Sequence, residues 1–287
     1  MSSRIPGQNL ERTRLETLFK ILWKKNDCLH DKMFIDFEVQ VPQFGTDQDT
    51  ETSSATFRKL SLDQVICDYE HDNNAQLSAA GPLLPCRKDR LLVRTAYEEL
   101  YGAIRAGEAS RPGDRKRVRA EDGSVVLVAD RSLRQEIEKV FLVIGHPGIG
   151  KTIFLSYLLV QRLLLGEPTI VQLAERLDGA TDIANAVHYL IDDGGVRLMD
   201  EAVYVEASRD SRIWVLADQK PVGYPRQLHN HQWLVVVSAS PVVDGLKSLV
   251  KEYAPRQYVM STWDWGEIAA AASVPACFLF FPRGRTC

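Results

Sequence analysis

The chain has 287 residues, 45% hydrophobic and 25% charged, an ordinary composition for a globular protein with one large or two small domains. With 35 Lys and Arg against 38 Asp and Glu, the net charge is −3, which excludes a global pull towards nucleic acid or an acidic membrane. Five scattered cysteines (Cys28, Cys67, Cys86, Cys277 and Cys287) form no C-x-x-C pair and indicate neither a zinc site nor a disulfide framework.

Met1 to Gly7 carries no apolar signal core, and the longest apolar run, Ile268 to Phe281, contains Pro275 and is too short to span a bilayer comfortably. Both features predict an intracellular protein of cytoplasm or nucleus, with no membrane partner. Asn9 to Lys25 predicts an amphipathic helix, because Leu15, Leu18, Phe19, Leu22 and Trp23 recur at helical spacing. Residues 42 to 56 are polar and predict a solvated linker. Asp47 to Glu51 imitates a calcium loop only superficially, since its Gly and final Glu are misplaced. Residues 60 to 90 mix short apolar pieces with Asn73, Asn74, Pro82 and Pro85 and receive no role. A lead-in helix is predicted over Thr95 to Ala106. Arg111 to Arg119 holds five basic residues against Asp114, which reads as a solvated loop in preference to an import signal or anion patch.

Residues 145 to 152 read Gly145-His146-Pro147-Gly148-Ile149-Gly150-Lys151-Thr152, a complete G-x-x-x-x-G-K-[ST] phosphate loop. Its setting fits: an apolar β-rich stretch, Val140 to Ile144, precedes it, and a helix-forming stretch, Ile153 to Leu163, follows. The glycines let the backbone turn and approach a ligand closely. Loop N–H groups and the positive end of the helix then face a polyphosphate. Lys151 is expected to reach the β- and γ-phosphates, and Thr152 to hold Mg²⁺ through its hydroxyl.

Ala186 to Ile191, the turn Asp192-Asp193-Gly194-Gly195, and Val196 to Asp200 predict a tight β-hairpin inserted between core strands. Ile213 to Ala217 predicts a buried strand ending in Asp218, the candidate second metal-binding element, acting through water. Gln219 follows where many ATPases of this class carry Glu, so the general base is unassigned. His229-Asn230-His231 has no second cluster to complete a metal or nuclease site and reads as a surface loop. Trp233 to Ser238, then Ala239-Ser240-Pro241, predicts a third strand. Ser238 or Ser240 at its C-terminal end would sense the γ-phosphate or orient water; the alternative is that Ser-Ala-Ser-Pro only makes a turn.

These pieces, in this order, resemble the P-loop ATPase module of fungal Crinkler-like and retrotransposon-hot-spot-like proteins. The similar stretches are Leu92 to Glu98 as a lead-in helix, Phe141 to Thr152 and Phe154 to Leu159 as loop and first helix. Trp214 to Asp218, Val237 to Pro241, Tyr258 to Met260 and Trp263 match its later strands. The resemblance covers roughly 91 to 268 and implies an additional-strand-class P-loop NTPase, with one strand between the loop strand and the Asp218 strand. The expected fold is therefore α/β, a three-layer sandwich around a mainly parallel sheet. The expected division is an unassigned segment 1–90, an NTPase domain 91–268, and a poorly ordered apolar and basic tail 269–287. Related modules continue into a helical lid, which this tail does not resemble. The expected function is Mg²⁺-dependent ATP binding with slow hydrolysis, by the catalytic set Lys151, Asp218, Ser238 and Ser240, coupled to self-association or a protein partner. The alternatives are a non-hydrolysing nucleotide-bound switch and an inactive fragment of a larger NTPase.

Overall fold

The computed structural model describes residues 6–42, 52–74, 77, 81–109, 118–119, 125–126, 140–174, 186–218, 232–240, 250–251 and 254–274. Helix α1 (Pro6–Leu22) and helix α2 (Asn26–Met33) lead into strand β1 (Phe34–Pro42). β1 pairs antiparallel with β2 (Thr52–Ser61), which pairs antiparallel with β3 (Arg90–Val93) after helix α3 (Asp63–Asn73). Residues 52–56, expected in a solvated linker, are therefore strand. β1 alternates Ile35, Phe37, Val39 and Val41 with Asp36, Glu38 and Gln40, and the Thr- and Ser-rich start of β2 pairs along it. Residues 43–51 lie outside the described residues. Leu92 and Val93, expected on the lead-in helix, close this small sheet, and helix α4 (Thr95–Ala109) begins after Arg94. Of the basic stretch Arg111 to Arg119, the described residues hold only Val118 and Arg119. These form a short strand, β4 (Val118–Arg119), paired with β5 (Val125–Val126).

Among the described residues the main sheet has seven strands: β6 (Val140–Ile144), β7 (Thr169–Ala174), β8 (Ala186–Asp192), β9 (Gly195–Leu198), β10 (Trp214–Asp218), β11 (Leu234–Ala239) and β12 (Arg256–Val259). Their spatial order is β12-β6-β11-β10-β7-β8-β9. The first five are mutually parallel; the predicted hairpin β8–β9 adds antiparallel at the far edge. One strand, β11, lies between β6 and β10. Helix α5 (Lys151–Leu165) follows the glycine loop, α6 (Glu201–Ala207) precedes β10, and α7 (Trp265–Ser273) follows β12.

Strand period two divides the side chains between two cores. Phe141 and Val143, Trp214 and Leu216, Leu234 and Val236 face the side of α1, α4 and α5, where they join Leu18, Leu22, Ile104, Phe154 and Leu158. Val140 and Leu142, Val215, Val235 and Val237 face the other side, with Trp233 and Ala207. The fold is thus mixed α/β, a mostly parallel sheet with helices on both faces. Residues 269–274, placed in the tail on sequence grounds, complete α7 and its end. Ala270 and Ala271 are buried with Val39 and Leu92, and Val274 is buried too. Residues 275–287 lie outside the described residues. Among the described residues no helix is long and apolar enough to cross a membrane.

Candidate functional site

The site is built where β6, β10 and β11 end. β6 is fully apolar and stops at Ile144; the chain then turns through 145–150 and enters α5. His146, Pro147 and Gly148 are exposed at the crown of this loop, and Ile149 is buried beneath it. Gly150 sits at φ +101°, a left-handed conformation that L-residues avoid, and a Cβ there would collide with the Tyr97 hydroxyl. Gly148 also has positive φ, at +85°. The loop therefore needs glycine at both positions for backbone reasons alone. Its shape delivers the first turn of α5, whose N–H groups have no intrahelical acceptor, to the open end of the sheet.

Lys151 and Thr152 open α5. The Lys151 ammonium folds back over the loop and donates to the carbonyls of Gly145 at 2.7 Å and His146 at 2.9 Å. Partial burial lowers its pKa from the ordinary lysine value, while the Asp218 charge pulls the other way. The Thr152 hydroxyl donates to Asp218 Oδ2 at 2.7 Å, and the Ser238 hydroxyl donates to Asp218 Oδ1 at 2.6 Å. Strand register explains this convergence. Asp218 and Ser238 are directly paired across β10 and β11, so their side chains leave the sheet on the same face. They continue the Trp214–Leu216 and Leu234–Val236 rows that face α5, whose first turn holds Thr152.

The structure thus brings together Lys151, Thr152, Asp218 and Ser238 from the sequence-predicted set. Ser240 lies one residue beyond β11, and the described hydrogen bonds on Asp218 come from Thr152 and Ser238 instead. Gln219 and His229 to His231 lie outside the described residues. Mg²⁺ is the metal the loop motif implies. A hydroxyl and a carboxylate oxygen 2.7 Å apart are hard oxygen donors suited to it, and it needs few protein ligands because water and phosphate complete its shell. Thr152 and Asp218 would hold it. Among the described residues no group of three or more His, Cys, Asp or Glu could hold a metal by itself.

Two residues at this site lie in the Leu92 to Glu98 stretch, where the sequence assigned them no role at the loop. Arg94, just before α4, is fully buried and donates to the carbonyl of Ile149 at 3.0 Å. It pairs with Glu267 on α7 at 2.8 and 3.0 Å. Tyr97 donates its hydroxyl to the Gly150 carbonyl at 2.9 Å. The sequence signal for them was weak: an Arg closing an apolar strand and an aromatic on the buried stripe of α4. No protein-family model, no curated protein and no solved structure matches the chain.

Proposed function

We propose that the protein binds Mg²⁺–ATP through residues 145–152 and hydrolyses it slowly, with Lys151, Thr152 and Asp218 as the core of the site. The observation that carries this reading is the meeting of Thr152 and Asp218, from the loop helix and a non-adjacent strand, beside a complete phosphate-loop motif. A strand order with β11 between β6 and β10 is the one expected of the additional-strand class, and it supports the resemblance to Crinkler-like ATPase modules. The loop N–H groups and Lys151 would neutralise the phosphate oxygens as charge develops on them. Lys151 reaches this task by exchanging the Gly145 and His146 carbonyls for phosphate. Bound Mg²⁺ supplies further charge neutralisation on the phosphates. Asp218 accepts from the Thr152 hydroxyl and so fixes its orientation. Ser238 holds the other carboxylate oxygen and thereby fixes the plane of the carboxylate.

A second reading, a nucleotide-bound switch with no turnover, is favoured by Gln219, which stands where a general-base Glu is common, and by the engagement of Ser238 with Asp218. Calorimetric ATP binding and phosphate release, each with Mg²⁺ and with EDTA, separate the two. Binding with slow turnover that rises with protein concentration supports the ATPase and a self-associating or partner-supplied group. Binding without turnover supports the switch. Absence of binding overturns both.

A further inference from the structure

The face of the phosphate loop turned away from the ligand side is held by two side chains from one distant part of the chain, at the start of α4. Arg94 Nη1 donates to Ile149 O at 3.0 Å, and Tyr97 Oη donates to Gly150 O at 2.9 Å, where it joins the first helical hydrogen bond of α5, from the Phe154 N–H at 2.8 Å. Every described peptide bond is trans, so the C=O and the N–H of one peptide unit point in opposite directions. The carbonyl of Ile149 shares its plane with the N–H of Gly150, and the carbonyl of Gly150 shares its plane with the N–H of Lys151. Whatever fixes those two carbonyls on one side fixes those two N–H groups on the other, towards the phosphates. We propose that Arg94 and Tyr97 are positioning residues that preset the phosphate-binding N–H groups of Gly150 and Lys151; this rests on the nucleotide reading above.

Arg94 is itself held in place. Its Nη2 also donates to the carbonyls of Ser261 and Thr262, both at 3.1 Å, and to Glu267 at 2.8 Å. Its guanidinium lies 4.7 Å from the Trp263 ring centroid. Glu267 completes the capping box of α7, accepting from the Asp264 N–H at 3.2 Å while its own N–H donates to the Asp264 side chain at 2.7 Å. A planar fork with five N–H groups reaches all of these acceptors at once, the two on Nη2 being shared among three of them, and a lysine cannot reproduce that set. The loop's geometry is therefore tied to the segment after β12 and to the start of α7. A prearranged loop spares nucleotide binding the cost of ordering it.

The test uses the full chain with Mg²⁺–ATP as probe, comparing affinity by calorimetry and melting temperature for each variant. Tyr97→Phe deletes one hydroxyl and is expected to weaken Mg²⁺–ATP binding about two- to tenfold. Arg94→Lys keeps the charge, loses the fork, and is expected to weaken it at least about tenfold. Val65→Ala, a buried position on α3 away from the loop, serves as a control that lowers melting temperature with affinity unchanged. Wild-type affinity in Tyr97→Phe, or equal weakening in Val65→Ala, overturns the positioning role whether or not Arg94→Lys folds. Failure of the wild-type chain to bind Mg²⁺–ATP overturns the nucleotide reading itself, and the positioning role with it.

Discussion

The Arg162 guanidinium lies over the Trp214 ring, 4.4 Å from its centroid, with both side chains withdrawn from solvent. Arg162 also donates to the carbonyls of Pro168 at 2.7 Å and Arg212 at 2.8 Å, and pairs with Glu167 at 2.6 Å. It thereby joins the last turn of α5 to the starts of β7 and β10. Burial pulls its pKa down to about 10, so it remains charged at neutral pH, with its compensation coming from Glu167 and Glu108.

Because that charge is buried and engaged on every side, removing its fork takes a donor from the Pro168 and Arg212 carbonyls and leaves Glu167 to Arg105 alone. Arg162→Leu is expected to lose about 3–5 kcal/mol of stability by denaturant unfolding. Arg162→Lys should recover only part of it, for want of the planar fork. A loss under about 0.5 kcal/mol for both would show that the buried cluster contributes nothing net.

Lys151 gives a different signature. Its pKa is lowered in the free protein, so between that lowered value and the ordinary one the unfolded chain binds more protons than the folded chain. Its charge therefore works against the free fold, and stability rises with pH across that alkaline window. Lys151→Met is expected to be as stable as the wild type or more so, and to bind ATP at least about tenfold more weakly. Wild-type ATP binding should also take up protons and weaken as pH climbs through the free lysine's pKa. Calorimetry in buffers of different ionisation enthalpy reads this directly; no proton linkage would mean that phosphate does not contact the ammonium.

Asp218→Asn keeps the shape but removes the charge, and its amide can accept from only one of Thr152 and Ser238, since the other oxygen becomes an NH2 donor. The ratio of ATP affinity with Mg²⁺ to that with EDTA should fall about 10- to 100-fold. An unchanged ratio would reduce Asp218 to the end of a strand.

His188 on β8 is mostly buried, and its Nε2 has no hydrogen-bond partner among the described residues. Desolvation drops its pKa from 6.5 to about 4, so it is neutral in the fold. Between those values the unfolded chain holds the extra proton, so stability is full above pH 6.5 and is lost as pH falls towards 4. The loss attributable to this residue is about 2–3 kcal/mol. Stability curves of wild type and His188→Leu between pH 4 and 7 should diverge by that amount; parallel curves would show that the ring is charged in the fold.

Truncation after residue 268 removes Ala270 and Ala271 from beside the small sheet, and the buried Val274 with them. A clear fall in melting temperature is expected, measured against the full chain. An unchanged melting temperature would show that α7 adds no packing beyond Glu267.

Much of the site was legible because it is local. The glycine loop, the strand before it and the helix after it are contiguous, and Asp218 ends an apolar run of strand length. The hairpin was legible in its Asp-Gly-Gly turn. Ser238 was separable from Ser240 only through register: residues two apart share a face, but pairing decides which of them stands beside Asp218. Arg94 and Tyr97 were illegible because their work is done on backbone carbonyls 55 and 53 residues away, and carbonyls have no sequence signature. β1 did carry a signal, the alternation from Ile35 to Val41. The polar start of β2 masked its partner.

Register also sets how the gene can change. β10 and β11 are laddered so that Asp218 meets Ser238, and β11 and β6 so that Ser238 meets Val143. Inserting or deleting one codon within β11 would present Val237 or Ala239 to the carboxylate and turn the serine to the opposite face. Every residue of β11 is buried, so the shifted strand would also bury the wrong side chains on both faces. Length variation among descendants of this sequence is thus expected to spare β6, β10 and β11 to the residue. Single-codon deletion scanning with a folding reporter would trace the site as a block of intolerance, drawn with no nucleotide present.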